Sequence, residues 1–380
     1  MKFAIDCRRI QPGMTGLGSY TLGLVTALAH LIPRRGHELI LFATPDSGAL
    51  LSDITERVTM VNVKWPVENH LQGEYWKHVR LPRILNSHSI DLFHDPAYQL
   101  PFIRSKAAYV VTIHDLAPFR HPETNTLKYN LYWRWMTRTA INRAERVIAV
   151  SEFTKSETEE MFPSVRGRVD VISEAAAPCF THKPPEMDIL RHHGIDRPYF
   201  LTAAKYEPRK NLARCIESFI AGPATINSDI QLVVAGAIGW KTADIDSIMK
   251  SSDFRDRIIF TGYLERPHLI EIMRGAMAIV VPSVYEGFGL PVLEAMACGA
   301  PVICSRIASL PEVGGDAAVY FDPFQAGSIK KAMIRVLSDG SLRQEMLVKG
   351  LARAAGYSWT TAAEKTFETY CRVLKTTNNE

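Results

Sequence analysis

Two glutamates eight positions apart, Glu286 and Glu294, bracket the stretch Tyr285-Glu286-Gly287-Phe288-Gly289-Leu290-Pro291-Val292-Leu293-Glu294. Pro291 suits the first turn of a helix. A glycine-flanked loop entering a helix turns polarised backbone N–H groups outward, which is a ready site for phosphate. Glu286 falls in the loop and Glu294 about one turn into the helix. Carboxylates beside an anion site repel the anion, so they are expected to accept hydrogen bonds from hydroxyls, those of a sugar or a ribose. Either glutamate alone reads equally well as a solvated side chain beside a structural turn. The full constellation favours a site.

A second segment, Lys205-Tyr206-Glu207-Pro208-Arg209-Lys210-Asn211-Leu212, places three cations where a strand turns into a helix. Lys210 or Arg209 is suited to neutralise a diphosphate as it departs; the plainer reading is a solvated basic loop. Near the N-terminus, Gly13-Met14-Thr15-Gly16-Leu17-Gly18-Ser19-Tyr20 follows a strand and opens a helix. Its glycines are spaced G-x-x-G-x-G and no P-loop lysine follows, so by itself it reads as a structural turn. Thr112-Ile113-His114-Asp115 ends a fully apolar strand. A histidine at such an exit can hydrogen-bond a ligand hydroxyl or carry a proton, although a lone histidine is more often a satisfied core residue.

Other signals carry less. Asp244-Ile245-Asp246 has the D-x-D spacing of metal-dependent sugar transferases, but Lys241–Lys250 reads as an amphipathic helix with both aspartates on a solvated face. From Leu127 to Arg146, Tyr129, Tyr132, Trp133 and Trp135 interleave with Arg134, Arg138, Arg143 and Arg146. Stacking on nucleic-acid bases is conceivable; helical spacing favours a core-facing aromatic stripe with an arginine rim. The sequence holds no H-E-x-x-H, EF-hand loop or G-x-S-x-G.

These motifs need strands to hold them. Apolar runs predict strands at Lys2–Asp6, His37–Ala43, Val58–Val63, Asp91–His94, Ala108–His114, Arg146–Ser151 and Val169–Ser173. After a break they resume at Tyr199–Ala203, Ile230–Gly236, Arg257–Thr261, Ala278–Pro282, Pro301–Cys304 and Ala318–Phe321. Val110-Val111-Thr112-Ile113 and Ile279-Val280-Val281 are apolar throughout, as strands buried on both faces of a parallel sheet must be. Helical segments between the strands argue for two doubly wound α/β sheets. The break at Ala176–Met187 carries Pro178, Pro184 and Pro185 and reads as a linker. From Gln325 the pattern is helical. Two such sheets facing across a linker imply a cleft at the carboxyl ends of both strand sets.

The composition fits this frame. The 380 residues suggest two domains. With 47% hydrophobic and 22% charged residues, disorder and fibrous classes are excluded. A net charge of +4 is too small for a dense nucleic-acid stripe but allows a local patch for phosphate or anionic lipid. Cys7, Cys179, Cys215, Cys298, Cys304 and Cys371 show neither C-x-x-C nor zinc spacing, and read as small core residues in a reducing compartment. The N-terminus lacks the pattern of a signal peptide. The longest apolar stretches, taken as Leu232–Trp240 and Ala276–Ser283, fall short of a membrane span. A cytoplasmic location is expected, with any membrane contact peripheral, at the inner face.

At this point the sequence resembles the retaining glycosyltransferases of the GT-B fold in glycosyltransferase family 4 (group 1). Glu286-Gly-Phe-Gly-Leu-Pro-Val-Leu-Glu294 matches the family's E-x7-E signature, and the match runs on through Ala295-Met296-Ala297-Cys298-Gly299 to Leu310-Pro311-Glu312-Val313-Gly314-Gly315-Asp316. Glu207-Pro208-Arg209-Lys210-Asn211-Leu212, Gly16-Leu17-Gly18-Ser19-Tyr20, His114-Asp115 and Val150-Ser151-Glu152-Phe153-Thr154 fit in the same order. The likeness covers essentially the whole chain and is most specific in the C-terminal half.

The resemblance implies two Rossmann-like domains: residues 1–177, completed by a C-terminal helix in 357–380, on the acceptor side, and residues 186–356 binding a nucleotide sugar. Glu294 would bind ribose hydroxyls and Glu286 the donor sugar, with Gly287, Phe288 and Gly289 helping to hold sugar and phosphate. Lys210 and Arg209 would grip the diphosphate, and Gly18 would let a first-domain loop approach it. His114 would touch the transferred sugar. Lys205 stands where many relatives have Arg, replacing a bidentate clamp with a point charge. The implied reaction moves a hexose from a nucleoside diphosphate sugar, of GDP-mannose or UDP-glucose type, to a hydroxyl of a glycan or lipid-linked saccharide. It needs no metal and no cofactor beyond the donor co-substrate. A GT-B-shaped nucleotide-sugar epimerase, a non-catalytic nucleotide-sugar-binding subunit and a dinucleotide oxidoreductase are the alternatives.

Overall fold

The apolar runs become parallel strands in the computed structural model, which describes residues 1–14, 16–63, 70–237 and 243–377. Among these residues the chain forms two units: Met1–Ala175 with Ser358–Glu380, and Ala176–Tyr357. The first contains β1 (Lys2–Asp6), β2 (Glu38–Ala43), β3 (Thr59–Asn62), β4 (Leu92–Asp95), β5 (Ala108–Ile113), β6 (Arg146–Ala149) and β7 (Val169–Val171). The second contains β8 (Tyr199–Ala203), β9 (Gln231–Ala235), β10 (Ile258–Gly262), β11 (Ala278–Val281), β12 (Val302–Ser305) and β13 (Ala318–Phe321). Each predicted strand is present, with ends shifted by a residue or two.

The first sheet runs β3-β2-β1-β4-β5-β6-β7 and the second β10-β9-β8-β11-β12-β13. Every pairing is parallel. This is the α/β architecture of the GT-B fold, two Rossmann-like domains. β5, β9 and β11 are buried along their whole length, because helices cover both faces of each sheet. Strand order reverses between β1 and β4 in one unit and between β8 and β11 in the other. Doubly wound sheets bind ligands beyond the carboxyl ends of strands at such reversals.

The helix Trp359–Thr377 belongs to the first unit, and its packing explains why. A Cβ on Gly23 would come within 2.3 Å of the Trp359 ring, so only glycine lets the first helix lie against it. Tyr370 stacks on Phe3, with ring centroids 5.3 Å apart. Its hydroxyl meets His94 Nδ1 at 2.7 Å, while His94 Nε2 meets Thr112 Oγ1 at 2.8 Å. Burial, helped by the charge of His114, holds the His94 imidazole down to a pKa of about 3, so it is a neutral link between helix and sheet.

Three expectations need correction. The helix Leu127–Arg143 turns Asn130, Met136, Thr137, Ala140 and Ile141 inward. Its aromatic stripe does not face the core: Tyr129 and Trp135 are exposed and Tyr132 and Trp133 half-buried. Small and aliphatic residues of its C-terminal half allow close approach to the sheet, which bulky rings would prevent. Cys179 is exposed and Cys371 half-buried, so neither is a core residue. The longest apolar run is neither stretch singled out above. Among the described residues Gly16–Arg35 is long and apolar enough, by length and composition, to cross a membrane. Here it forms the helix Gly16–Leu31, with Tyr20, Leu24, Val25 and Leu28 buried.

Candidate functional site

In the second unit both segments singled out by sequence emerge at the reversal, one after β8 and one after β11. Past β8 the chain makes a 3-10 turn, Pro208–Lys210, and Asn211 closes it in the left-handed region at φ 55°. Asparagine is among the few residues besides glycine that enter this region readily; its Nδ2 donates to the carbonyl of distant Pro323 at 2.9 Å, tying the turn to the exit of β13. Gly236, at φ 145°, lets the exit of β9 pass beside this segment, since a Cβ there would sit 2.0 Å from the Ala204 carbonyl oxygen.

The turn delivers its cations to Glu286. Lys210 Nζ donates to Glu286 Oε1 at 2.7 Å, and Arg209 Nη1 to Oε2 at 3.3 Å. The Ser283 hydroxyl donates to Oε1 at 2.7 Å. Arg209 also donates to the Tyr285 carbonyl at 3.1 Å and pairs with Glu207 at 2.9 Å, and its own carbonyl accepts from Val284 N at 2.9 Å. Glu286 is 7% exposed. Burial would raise its pKa, but the charges of Lys210 and Arg209 outweigh that and hold it down to about 2. It is a carboxylate at any physiological pH.

Beyond Glu286, Gly287, Phe288 and Gly289 are all buried. Ser309 Oγ bonds the carbonyls of Glu286 at 2.9 Å and Phe288 at 2.6 Å, pinning the loop from β12's side. Gly289 caps the helix Leu290–Ala297 at φ 112°, and a Cβ there would lie 2.9 Å from Leu310 Cδ2. Glu294 is half-buried on that helix, and Lys205 is exposed. The fold thus joins Glu286, Arg209 and Lys210 in one ionic knot, with Gly287–Gly289 leading from it into the helix that carries Glu294.

Gly18 and His114 lie in the first unit. Gly18 is buried at the start of its helix, where a Cβ would come within 2.6 Å of the Arg9 carbonyl oxygen and of Met14 Cβ. Close packing of the helix on its own loop therefore requires this glycine. Tyr20, one half-turn on, meets His114 edge-to-face at 4.6 Å. His114 is nearly buried and both ring nitrogens are engaged: Nδ1 with Glu174 Oε1 at 2.9 Å and Nε2 with the Pro96 carbonyl at 2.8 Å. A carbonyl only accepts, so Nε2 carries a hydrogen. The Nδ1 contact then joins an imidazolium to a carboxylate, or an imidazole to a carboxylic acid. Pro96 is held by Asp95, whose Oδ1 accepts from Ala97 N at 2.7 Å and Gln99 N at 3.1 Å. The same loop keeps Tyr98 at φ 71°, a conformation costly for a bulky residue and common where a loop is tied to function.

Sequence reasoning missed Glu174, Ser283 and the Pro96 carbonyl. Glu174 follows β7 and Ser283 follows β11, so the strand-exit rule that selected His114 would have selected both. It also missed a charged group at the first reversal, where Asp6 takes Arg8 Nε at 2.8 Å and Lys77 bonds Gln99 and Glu74. Asp244 and Asp246 are exposed on the helix Ala243–Ser251. Among the described residues no group of three His, Cys, Asp or Glu side chains is placed to hold a metal ion.

The chain is similar along its length to known proteins. Residues 188–350 match the family of glycosyl transferases group 1, and residues 15–175 match Glycosyltransferase Family 4. O-antigen chain mannosyltransferase B of Escherichia coli is 29% identical, over 97% of this chain and 99% of its own. Sucrose-phosphate synthase from Thermosynechococcus elongatus superposes with a TM-score of 0.75 at 17% identity, covering 99% of both chains. The Anabaena HepE protein, solved in complex with UDP-glucose, does so at 0.71 and 15%, covering 98% of this chain and all of its own. At such identities the structures speak for the fold.

Proposed function

Since the chain belongs to the group 1, family 4 glycosyltransferases, we propose that it transfers a mannosyl residue, with retention, from a nucleoside diphosphate mannose of the GDP-mannose type to a saccharide hydroxyl in O-antigen-like polysaccharide synthesis. The observation that carries this is the knot of Glu286 between Lys210 and Arg209 at the β8/β11 reversal. Support for mannose comes from the full-length likeness to a mannosyltransferase; the HepE complex supports a nucleotide sugar as donor.

The second unit is the donor side and the first the acceptor side. An incoming diphosphate competes with Glu286 for the same two cations. As Lys210 and Arg209 turn to the phosphates, the Glu286 carboxylate is released to accept hydrogen bonds from hydroxyls of the donor sugar. Lys205 adds a further cation on the same loop, and Glu294 accepts from the ribose. Gly287–Gly289 and the start of the helix Leu290–Ala297 supply backbone polarity to the phosphates. The bond from the anomeric carbon to the diphosphate breaks, and the acceptor oxygen bonds that carbon on the same face. The acceptor proton passes to the departing phosphate, whose charge the two cations stabilise without a metal ion. In the first unit His114 is assigned to the transferred sugar: Glu174 keeps Nδ1, and Nε2 exchanges the Pro96 carbonyl for a sugar hydroxyl; Gly18 keeps the opening of its helix tight.

A thermal-shift and calorimetric panel of nucleotide sugars tests the donor. GDP-mannose should stabilise the chain most and be consumed only with a saccharide acceptor present. Stabilisation by UDP-glucose alone would reassign the donor, and turnover without acceptor would replace transfer with epimerisation.

A further inference from the structure

The helix Leu127–Arg143 carries a surface that the transfer chemistry does not use. Leu127 is 74%, Leu131 57% and Trp135 53% exposed, and the neighbouring loop adds Ile103 at 50%. Lys128, Leu131, Trp135 and Arg138 follow one another at steps of three, four and three, so they form a single stripe along the helix. Lys128 and Arg138 are themselves exposed. The helix has four cations, Lys128, Arg134, Arg138 and Arg143, and no acidic residue. Beside it, Lys106 is exposed, and Arg104 stays 63% exposed while reaching Glu145 at 3.6 Å.

This stripe is built firmly. Thr126 caps the helix by accepting from Tyr129 N, and the opposite face is buried through Met136, Ala140 and Ile141. Trp135 lies against Phe102 at 4.5 Å between centroids, and Phe102 stacks on His78 at 3.6 Å. The exposed apolar groups therefore stay in place instead of collapsing inward.

We propose that the stripe Lys128–Leu131–Trp135–Arg138, with Ile103, docks the protein on the surface of an anionic lipid bilayer. Aliphatic side chains enter the acyl boundary, an indole sits at headgroup level, and lysine and arginine reach the phosphates. Charge selects this occupant. A second copy meeting the stripe by two-fold symmetry would set its cations against their own images. A nucleic acid would satisfy the cations and leave Leu127, Leu131 and Ile103 without a role. The proposal complements a lipid-linked acceptor without depending on the transfer chemistry, because binding and catalysis are read separately.

The test is sedimentation of the full chain with vesicles of phosphatidylcholine, with and without phosphatidylglycerol. The chain should sediment only with the anionic vesicles, and less as salt is raised. Lys128→Glu and Arg138→Glu should each weaken vesicle binding about fivefold or more. Leu131→Ser combined with Trp135→Ser should weaken it at least about tenfold. Nucleotide affinity and transfer to a water-soluble acceptor should match the wild type in all of them, and the two charge variants should also keep its melting temperature. Equal sedimentation of wild type and variants, or no sedimentation of either, overturns the proposal. So does a variant phenotype confined to self-association or to binding of a single-stranded oligonucleotide.

Discussion

Replacing Glu286 by Gln perturbs the centre of the ionic knot while keeping its shape. A carboxyl that titrates at about 2 in the fold, against 4.5 as its ordinary value, contributes about 3 kcal/mol at neutral pH. Because the folded value is depressed, this stability is fully present above 4.5 and is lost as the pH falls toward 2. The amide accepts from Ser283 and Lys210 but offers no charge, so Lys210 loses the carboxylate it faces and Arg209 is left to share Glu207. Guanidinium unfolding of Glu286→Gln should therefore show a loss of about 3 kcal/mol at pH 7, roughly halved near pH 3. Nucleoside diphosphate binding should hold or tighten, because the variant removes the carboxylate that competes with the phosphates for Lys210 and Arg209. Turnover should drop at least about tenfold, because a neutral amide binds the sugar hydroxyls less strongly than a carboxylate. Equal stability at pH 7, or a gap that persists undiminished in acid, would refute the electrostatic account. Weaker diphosphate binding would refute the exchange of partners.

Glu294→Ala should weaken nucleoside diphosphate binding at least about tenfold, from the loss of charge-assisted bonds worth ~1.5–3 kcal/mol each, without unfolding its half-buried helix; unchanged calorimetric affinity would remove it from the ribose. Transfer should survive excess chelator, because Lys210 and Arg209 supply the positive charge; abolition by EDTA with rescue by Mg²⁺ or Mn²⁺ would return attention to Asp244 and Asp246. His114→Ala strands the buried Glu174 and should cost ~1–3 kcal/mol of stability, with turnover per folded molecule falling far more than nucleotide affinity. Glu174→Gln, which can still bond the ring, should stay folded and lose turnover alone; wild-type turnover in both would make the pair structural.

Much of the fold was legible because parallel strands buried on both faces must be apolar throughout, and Val110–Ile113 and Ile279–Val281 satisfy that without ambiguity. The strands Tyr199–Ala203 and Ala278–Pro282 each lead into a motif at their carboxyl ends, so the sequence alone directs Lys210, Arg209 and Glu286 to the same end of one sheet. The helix Leu127–Arg143 was harder to read, because apolar residues lie on more than one of its faces. Periodicity fixes the spacing of a stripe but not which stripe faces inward. Packing decided for Met136, Ala140 and Ile141, which approach a sheet more closely than rings can.

Partners distant along the chain were beyond local reading. His114 is engaged by Glu174, sixty positions away, and by the carbonyl of Pro96, eighteen away. No spacing rule links them; parallel strand order does, since β4, β5, β6 and β7 are successive neighbours and their exits converge. The ionic state of Glu286 was hidden for the same reason. As a local motif it is a carboxylate in a phosphate loop, an arrangement that looks repulsive. Two cations brought over from the exit of β8 neutralise it, the same two that the proposed transfer gives to the diphosphate. The local motif shows only the carboxylate, and the strand reversal brings the cations that balance its charge.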